Sequence, residues 1–211
     1  MFSGGRDSSI AALRLAKTYS KVILVTVTSD HLSGIDTVYQ RLLEIRRFMP
    51  ESAEWYCVKQ PSTLLTDITF YAPTCLPCHH SYVVVGSLMA EQNGAKDIAF
   101  GYVSYQASWP EQTSYAINSL KSLLEEFGFD LILPVYGIKN VDDINKKLLE
   151  YGLSIDALEQ KCRRQITNIE LGCDILREEI NRWINSMRAT LRLRHKLALV
   201  VTNRMKIRDL S

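Results

Sequence analysis

Phe2-Ser3-Gly4-Gly5-Arg6-Asp7-Ser8-Ser9, followed directly by Ile10-Ala11-Ala12-Leu13-Arg14-Leu15-Ala16, decides how this chain is read. Two adjacent glycines stand between small hydroxyl residues, and an apolar pattern at helical spacing (Ile10, Leu13, then Leu15 or Ala16) opens behind them. Such a turn gathers backbone N–H groups at a helix N-terminus, where unpaired donors and the helix dipole together attract anions, phosphates above all. Glycine removes the Cβ that would hold a phosphate away, and Ser3, Ser8 and Ser9 add hydroxyl donors. Asp7 suits a phosphate site only with a Mg²⁺ ion between the two anions. The plainer reading is a helix cap, in which Asp7 or Ser8 merely satisfies the first N–H groups. There is no Gly-x-x-x-x-Gly-Lys-Ser/Thr run, so this is not the other common phosphate loop.

Composition bounds the rest. The chain has 211 residues, 46% of them hydrophobic and 23% charged, which suits one well-buried α/β-sized domain with a small appendage. No apolar run approaches the ~20 residues of a membrane span, and a loop at residue 3 leaves no room for a cleavable signal. Five cysteines, an odd number that includes one Cys-x-x-Cys, suit a reducing cytoplasm and metal or redox chemistry over structural disulfides. A net charge of +2 says nothing about nucleic acid.

The pattern predicts helices over 7–18, 35–48, 78–93 and 110–128. They alternate with strands at 21–28, 54–59, 97–101 and 130–136. The run Lys21-Val-Ile-Leu-Val-Thr-Val-Thr28 scarcely alternates, as in a strand buried on both faces of a parallel sheet. This alternation implies a doubly wound, mainly parallel sheet over 1–138, followed over 139–211 by a helical extension with helices at 141–151, 154–162 and 168–190. Ligands of such sheets bind at the carboxyl ends of the strands. The 3–9 loop, Thr26–Asp30 and Gly101-Tyr102 converge there.

Thr74-Cys75-Leu76-Pro77-Cys78-His79-His80 is the second informative stretch. Cys-x-x-Cys at a loop-to-helix junction can place two sulfurs on one metal, and the helix N-terminus favours thiolate. That is half a site; Cys162 and Cys173 are the candidates to complete it. Cys57, between Tyr56 and Val58 in a strand, reads as core, whereas Cys173 is as readily core as ligand on a stripe with Ile169, Leu176, Ile180 and Trp183. His79 and His80 are reserve ligands.

The Ser3-Gly4-Gly5-x-Asp7-Ser8 stretch resembles the signature of the PP-loop ATP pyrophosphatases, which include GMP and NAD synthetases, tRNA thiolation enzymes and 7-cyano-7-deazaguanine synthase. The resemblance implies an adenine nucleotide alpha hydrolase-like fold. It also implies cleavage of ATP to AMP and pyrophosphate with Mg²⁺, activating a carbonyl or carboxylate. Ser3, Gly4, Gly5, Ser8 and Ser9 would then hold the leaving pyrophosphate and Asp7 the metal. Arg6, or Arg163 and Arg164, would neutralise the transition state. The adenine would lie against Val27, Thr28 and Ser29, with Gly101 near the nucleotide. The family places a hydrophobic strand before the loop. Only Met1 and Phe2 stand there, so the central strand is either a stub or truncated.

Two branches are matched in part. Gly94-Ala95, Ile98-Ala-Phe-Gly101, Tyr105-Gln-Ala-Ser-Trp-Pro-Glu111 and Leu158-Glu-Gln-Lys-Cys162 resemble the 7-cyano-7-deazaguanine synthases, implying a purine-like substrate and a Zn²⁺ ion on Cys75, Cys78, Cys162 and Cys173. That family's tight cluster of three further cysteines is absent. Cys75, Cys78 and Cys162, with Cys162-Arg-Arg-Gln165, resemble instead the tRNA 2-thiolation enzymes, implying a 4Fe-4S cluster that delivers sulfur. Their Gly-His-x-x-Asp-Asp segment is missing at Gly101-Tyr-Val-Ser-Tyr-Gln106. The deazapurine branch is the first expectation and the thiolase the alternative.

Arg182, Arg188, Arg192, Arg194, Lys196, Arg204, Lys206 and Arg208 make a basic C-terminal segment, a candidate tRNA contact or else a solvated helix face. A catalytically weak nucleotide-binding partner is the remaining class. A homodimer or larger assembly is also open.

Overall fold

The computed structural model describes residues 1–61, 64, 74–164 and 169–210. In chain order these form α1 (Arg6–Thr18), β1 (Ile23–Thr28), β2 (Leu32–Ser33), α2 (Ile35–Ile45) and β3 (Glu54–Lys59). Then come α3 (Leu76–Gln92), β4 (Asp97–Ala99), α4 (Ser114–Glu126), β5 (Asp130–Ile132) and α5 (Val141–Glu150). The chain ends with β6 (Lys161–Cys162), α6 (Cys173–Arg192) and β7 (Val200–Lys206).

The fold is α/β with a mainly parallel sheet, as the alternation predicts. β1 pairs parallel to β3, with Ile23 opposite Glu54 and Thr28 opposite Lys59, and β4 pairs parallel to β5. Met1 and Phe2 join the two halves: Phe2 N–H donates to Val25 O on β1 (2.8 Å), and the Met1 amine donates to Ala99 O on β4. Thr26, buried in β1, gives its hydroxyl to Phe2 O (2.7 Å) and accepts from Trp55 Nε1 (2.9 Å), so its polar group is satisfied inside the layer. Beside Met1, between β1 and β4, lies an apolar cleft of about 310 Å³ lined by Leu24, Val25, Met89 and Ile98.

Helices cover both faces. On one side α1, α2 and α5 close a core through Ile10, Leu13, Val38, Leu42, Ile45, Ile144 and Leu148. On the other, α3, α4 and α6 interlock through Val84, Leu88, Leu120, Leu123, Trp183 and Met187. α3 is apolar on nearly every side because it lies between the sheet and α6, and Val83, Val84 and Val85 are all wholly buried.

Three expectations need correction. β7 pairs antiparallel to β3, so the C-terminal region contributes an edge strand to the sheet as well as helices. Residues 154–162 are not helical: they run as an extended strap that ends in β6, paired antiparallel to β2 with Leu32 opposite Cys162. α6 starts at Cys173 rather than 168, and its buried stripe begins only at Ile180, leaving Cys173 exposed. Most of the irregular 60–74 stretch, and Gln165, lie outside the described residues.

Candidate active site: an anion-binding turn beside three thiols

The helix-cap reading of the opening stretch does not hold. α1 begins at Arg6 with Gly5 as N-cap and no side-chain cap, so Asp7 and Ser8 lie inside the first turn. The loop is tied instead to itself. Ser3 N–H donates to Ser8 Oγ (3.3 Å), Ser3 and Ser8 share a hydroxyl bond (3.0 Å), and Gly5 N–H donates to Ser3 Oγ (3.2 Å). Gly4 has φ +83°, and a Cβ there would stand 2.8 Å from Leu158 O, so glycine is required twice over. A Cβ on Gly101 would meet Ser8 N at 2.8 Å, which shows how closely the end of β4 approaches the loop.

Arg41, whose side chain has no exposed surface, fixes this turn from behind. Its guanidinium donates to Gly4 O (3.3 Å), Ser154 O (2.9 Å) and Asp156 O (2.7 Å) and pairs with Glu44. Thr37 Oγ1 donates to Leu158 O (3.0 Å). The 154–162 strap is therefore pinned across the loop before it delivers Cys162.

A cavity of about 450 Å³ opens here, within the range of small-ligand sites. It is lined by Ser3, Gly5, Arg6, Asp7 and Ser8 from the loop, by Val27 and Gly101 at strand ends, and by Gln160 from the strap. Ser9 is not part of its wall; its hydroxyl donates to Gly5 O (2.7 Å) inside the helix. Thr28 and Ser29 also stand outside the wall, and Ser29 Oγ bonds His31 Nδ1 (2.8 Å). Arg6 bonds Asn145 on α5 (3.3 Å). Tyr105 donates its hydroxyl to Asp7 Oδ1 (2.6 Å). Burial raises the Asp7 carboxyl above its ordinary range, while that hydrogen bond and Arg6 pull it back.

The thiols gather at the neighbouring edge. Cys75 is the N-cap of α3 and Cys78 lies three positions on, so both face one side of the first turn. Pairing of β6 with β2 brings Cys162 to them, and each thiol of the helix pair feels Cys162 electrostatically. Burial pushes the Cys75 thiol up to about 12 and the Cys78 thiol up to about 11. Arg164 draws Cys78 back down, and His31 Nε2 lies 3.4 Å from Cys78 Sγ. Tyr82, which lines the cavity, is raised by burial and then by all three cysteines, so thiols and cavity adjoin. Cys173, exposed at the first position of α6, is not among the groups that act on the Cys75 and Cys78 thiols. Among the described residues, no three His, Cys, Asp or Glu side chains close around a single ion. The reserve histidines are engaged elsewhere, His79 with Tyr102 (2.7 Å) and His80 with Thr190 (3.2 Å). Cys57 is core, as read.

No protein-family model matches the chain, and no curated protein matches it in sequence. Solved structures do. A 4-thiouridine synthetase in complex with RNA and ATP superposes with a TM-score of 0.58 at 19% identity, covering 96% of this chain and 54% of its own. The U34-tRNA thiolase NcsA from Methanococcus maripaludis, with its [4Fe-4S] cluster, gives 0.52 at 17% identity, covering 92% of this chain and 69% of its own. The chain shares its α/β fold with these two enzymes. The chain spans about half the length of the 4-thiouridine synthetase it matches.

Sequence reading missed Arg41, Tyr105 and Gln160. Only Tyr105 had a signal, its place in the aromatic segment after β4. Arg41 reads as an ordinary charge on α2 until Gly4 and the strap are seen around it. No helix of the described residues is long and apolar enough to cross a membrane.

Proposed function

We propose that this chain is the ATP-using core of a tRNA thiolation enzyme, exchanging a uridine carbonyl oxygen for sulfur. The observation that carries this is the pairing of β6 with β2, which sets Cys162 opposite Leu32 and next to the His31–Cys78 contact at the start of α3, beside the cavity that the loop opens into. The two thiolases among the matched folds favour it over the deazapurine expectation.

The donor set suits both groups the reading requires. The uncapped start of α1 and the hydroxyls of Ser3 and Ser8 suit the β- and γ-phosphates of ATP, and Asp7 suits a Mg²⁺ ion. Three adjoining thiols, two of them at a helix N-terminus, suit three corners of a 4Fe-4S cluster, which when bound would present sulfur to the substrate. The residues then divide the work. The substrate oxygen attacks the α-phosphorus and pyrophosphate leaves against the loop N–H groups, whose fixed dipoles meet the developing charge. Tyr105 keeps Asp7 aimed at the phosphates. Sulfur from a sulfide-class donor next attacks the activated carbon, and AMP departs with the original oxygen.

The basic segment contributes less free charge than its sequence suggests. Arg188 pairs with Glu126 (2.7 Å), Arg194 with Glu91 (3.1 Å) and Arg204 with Glu54 (2.8 Å), and Arg208 donates to Met49 O. A tRNA would compete for these cations, so RNA affinity through them should fall steeply with salt.

Iron and acid-labile sulfide on protein purified without oxygen test the reading. Iron and sulfide in the wild type, both lost in Cys78→Ser and kept in Cys173→Ser, are expected. Zinc alone, or no metal, would overturn the cluster assignment.

A further inference from the structure

We propose that Glu159 makes the nucleotide site selective for ATP carried as its divalent-cation chelate and turns away the free polyanion, an inference that rests on the nucleotide reading above. Glu159 sits in the strap three residues before Cys162 and lines the cavity with Ser3, Gly5, Arg6 and Asp7. A Cβ built on Gly5 would stand 3.0 Å from Glu159 Oε2 and 3.6 Å from Glu159 Cβ, so the carboxylate lies against the anion-binding turn. Its other oxygen, Oε1, accepts from Lys161 Nζ (2.8 Å). The oxygen nearest Gly5 is therefore not the one that Lys161 holds. Among the described residues the turn does not bond this carboxylate: Ser3 N–H donates to Ser8 Oγ and Gly5 N–H to Ser3 Oγ.

This places negative charge beside the seat of a phosphate. Among the described residues the cavity wall carries two carboxyls, Asp7 and Glu159, against one guanidinium, Arg6. The Met1 amine and His79 add little positive charge, because burial lowers both, the amine to about 5. The strap cannot carry Glu159 away. On one side Thr37 Oγ1 holds Leu158 O (3.0 Å), and on the other Gln160 Nε2 is bonded to Val27 O (2.9 Å), so only the Glu159 side chain can turn. A metal-free triphosphate meets repulsion from this fixed carboxylate, whereas a divalent cation travelling with the phosphates offsets much of their charge. Glu159 is 35% exposed and Lys161 65%, so water and salt weaken the repulsion without removing it. Glu159 thus acts on the free polyanion most and on the chelate least.

The experiment is calorimetric titration of the full chain at low salt, without RNA, using ATP with excess Mg²⁺ and ATP with EDTA. Wild-type protein should bind the chelate tighter than free ATP by roughly tenfold or more. Glu159→Gln, equal in size and uncharged, should tighten free ATP by roughly fivefold and the chelate by less than about twofold. Lys161→Met, which unmasks the carboxylate, should shift free ATP the other way, weakening it by about twofold. Glu51→Gln removes the same charge from a turn outside the cavity wall and should leave the ratio of the two affinities at the wild-type value. Equal binding of both forms by wild type would overturn the selective role while leaving the nucleotide site intact. A ratio that Glu159→Gln does not change, or that Glu51→Gln lowers as much, would do the same. Loss of chelate binding in folded Glu159→Gln would also overturn it, since the carboxylate would then hold the cation and not repel the phosphates. Failure of folded wild type to bind either form would overturn the nucleotide reading and this inference together.

Discussion

The two ends of the site are built differently. At the loop end, position is imposed by backbone: Gly4 at positive φ, Gly101 in contact with Ser8, and a wholly buried Arg41 whose guanidinium spans three main-chain carbonyls. At the thiol end, side chains from two separate stretches lie side by side, and burial raises the Cys75 and Cys78 thiols. The loop end is complete before any ligand arrives. Under the proposed function, loading a metal at the thiol end would first displace protons from buried sulfur. The nucleotide end would then be preformed by the fold and the sulfur end completed only on loading.

Variants that separate the two ends should differ in kind as well as size. The largest effect falls at the loop. Arg41→Ala leaves Gly4 O, Ser154 O, Asp156 O and Glu44 without their partner, and should cost about 3–5 kcal/mol of stability in urea unfolding. Arg41→Lys should recover little, since one ammonium cannot reach carbonyls arranged for a planar fork. Gly101→Ala comes next. Its methyl group would press on Ser8 N, so about 1–3 kcal/mol of strain should appear as weaker ATP binding in calorimetry. Tyr105→Phe removes one hydrogen bond to Asp7, and about 1 kcal/mol is expected, read as a several-fold rise in the ATP concentration needed for half-maximal turnover. At the other end, Cys78→Ser should change the unfolding free energy of the metal-free protein by under about 1 kcal/mol while abolishing iron uptake, which is the contrast in its sharpest form. The smallest effect belongs to the basic segment. Arg188→Ala breaks a mostly exposed ion pair with Glu126 and should cost under about 1 kcal/mol, fading as salt is added.

What the sequence disclosed follows the same division. The opening turn, β1 and the helices carry their own local signals. Paired glycines force a turn, the apolar run of Ile23 to Val27 fits a buried strand, and Ile35, Val38, Leu42 and Ile45 mark one helix face. The sequence pattern starts this helix at 78, whereas α3 begins at Leu76 and takes Pro77 into its first turn, where the missing N–H goes unused. The strap reads as a helix in sequence because Ile155, Leu158 and Cys162 fall at helical spacing. Its actual conformation is set by distant partners, Arg41, Thr37 and Val27, that no local pattern contains. The core reading of Cys173 fails because the packed stripe of α6 starts only at Ile180, which leaves Cys173 exposed.

The central claim is that one cavity couples adenylation to sulfur delivery, and product analysis tests it most directly. Anaerobically purified protein is incubated with ATP, unmodified tRNA and sulfide, and the nucleotides and digested nucleosides are quantified. The account requires AMP, pyrophosphate and thiolated uridine in equal amounts, with all three lost in Asp7→Asn, whereas Cys78→Ser should release pyrophosphate for no more than one turnover, leave AMP on the tRNA and form no thiolated nucleoside. Cleavage of ATP to ADP and phosphate, or no cleavage with any tRNA, would contradict it.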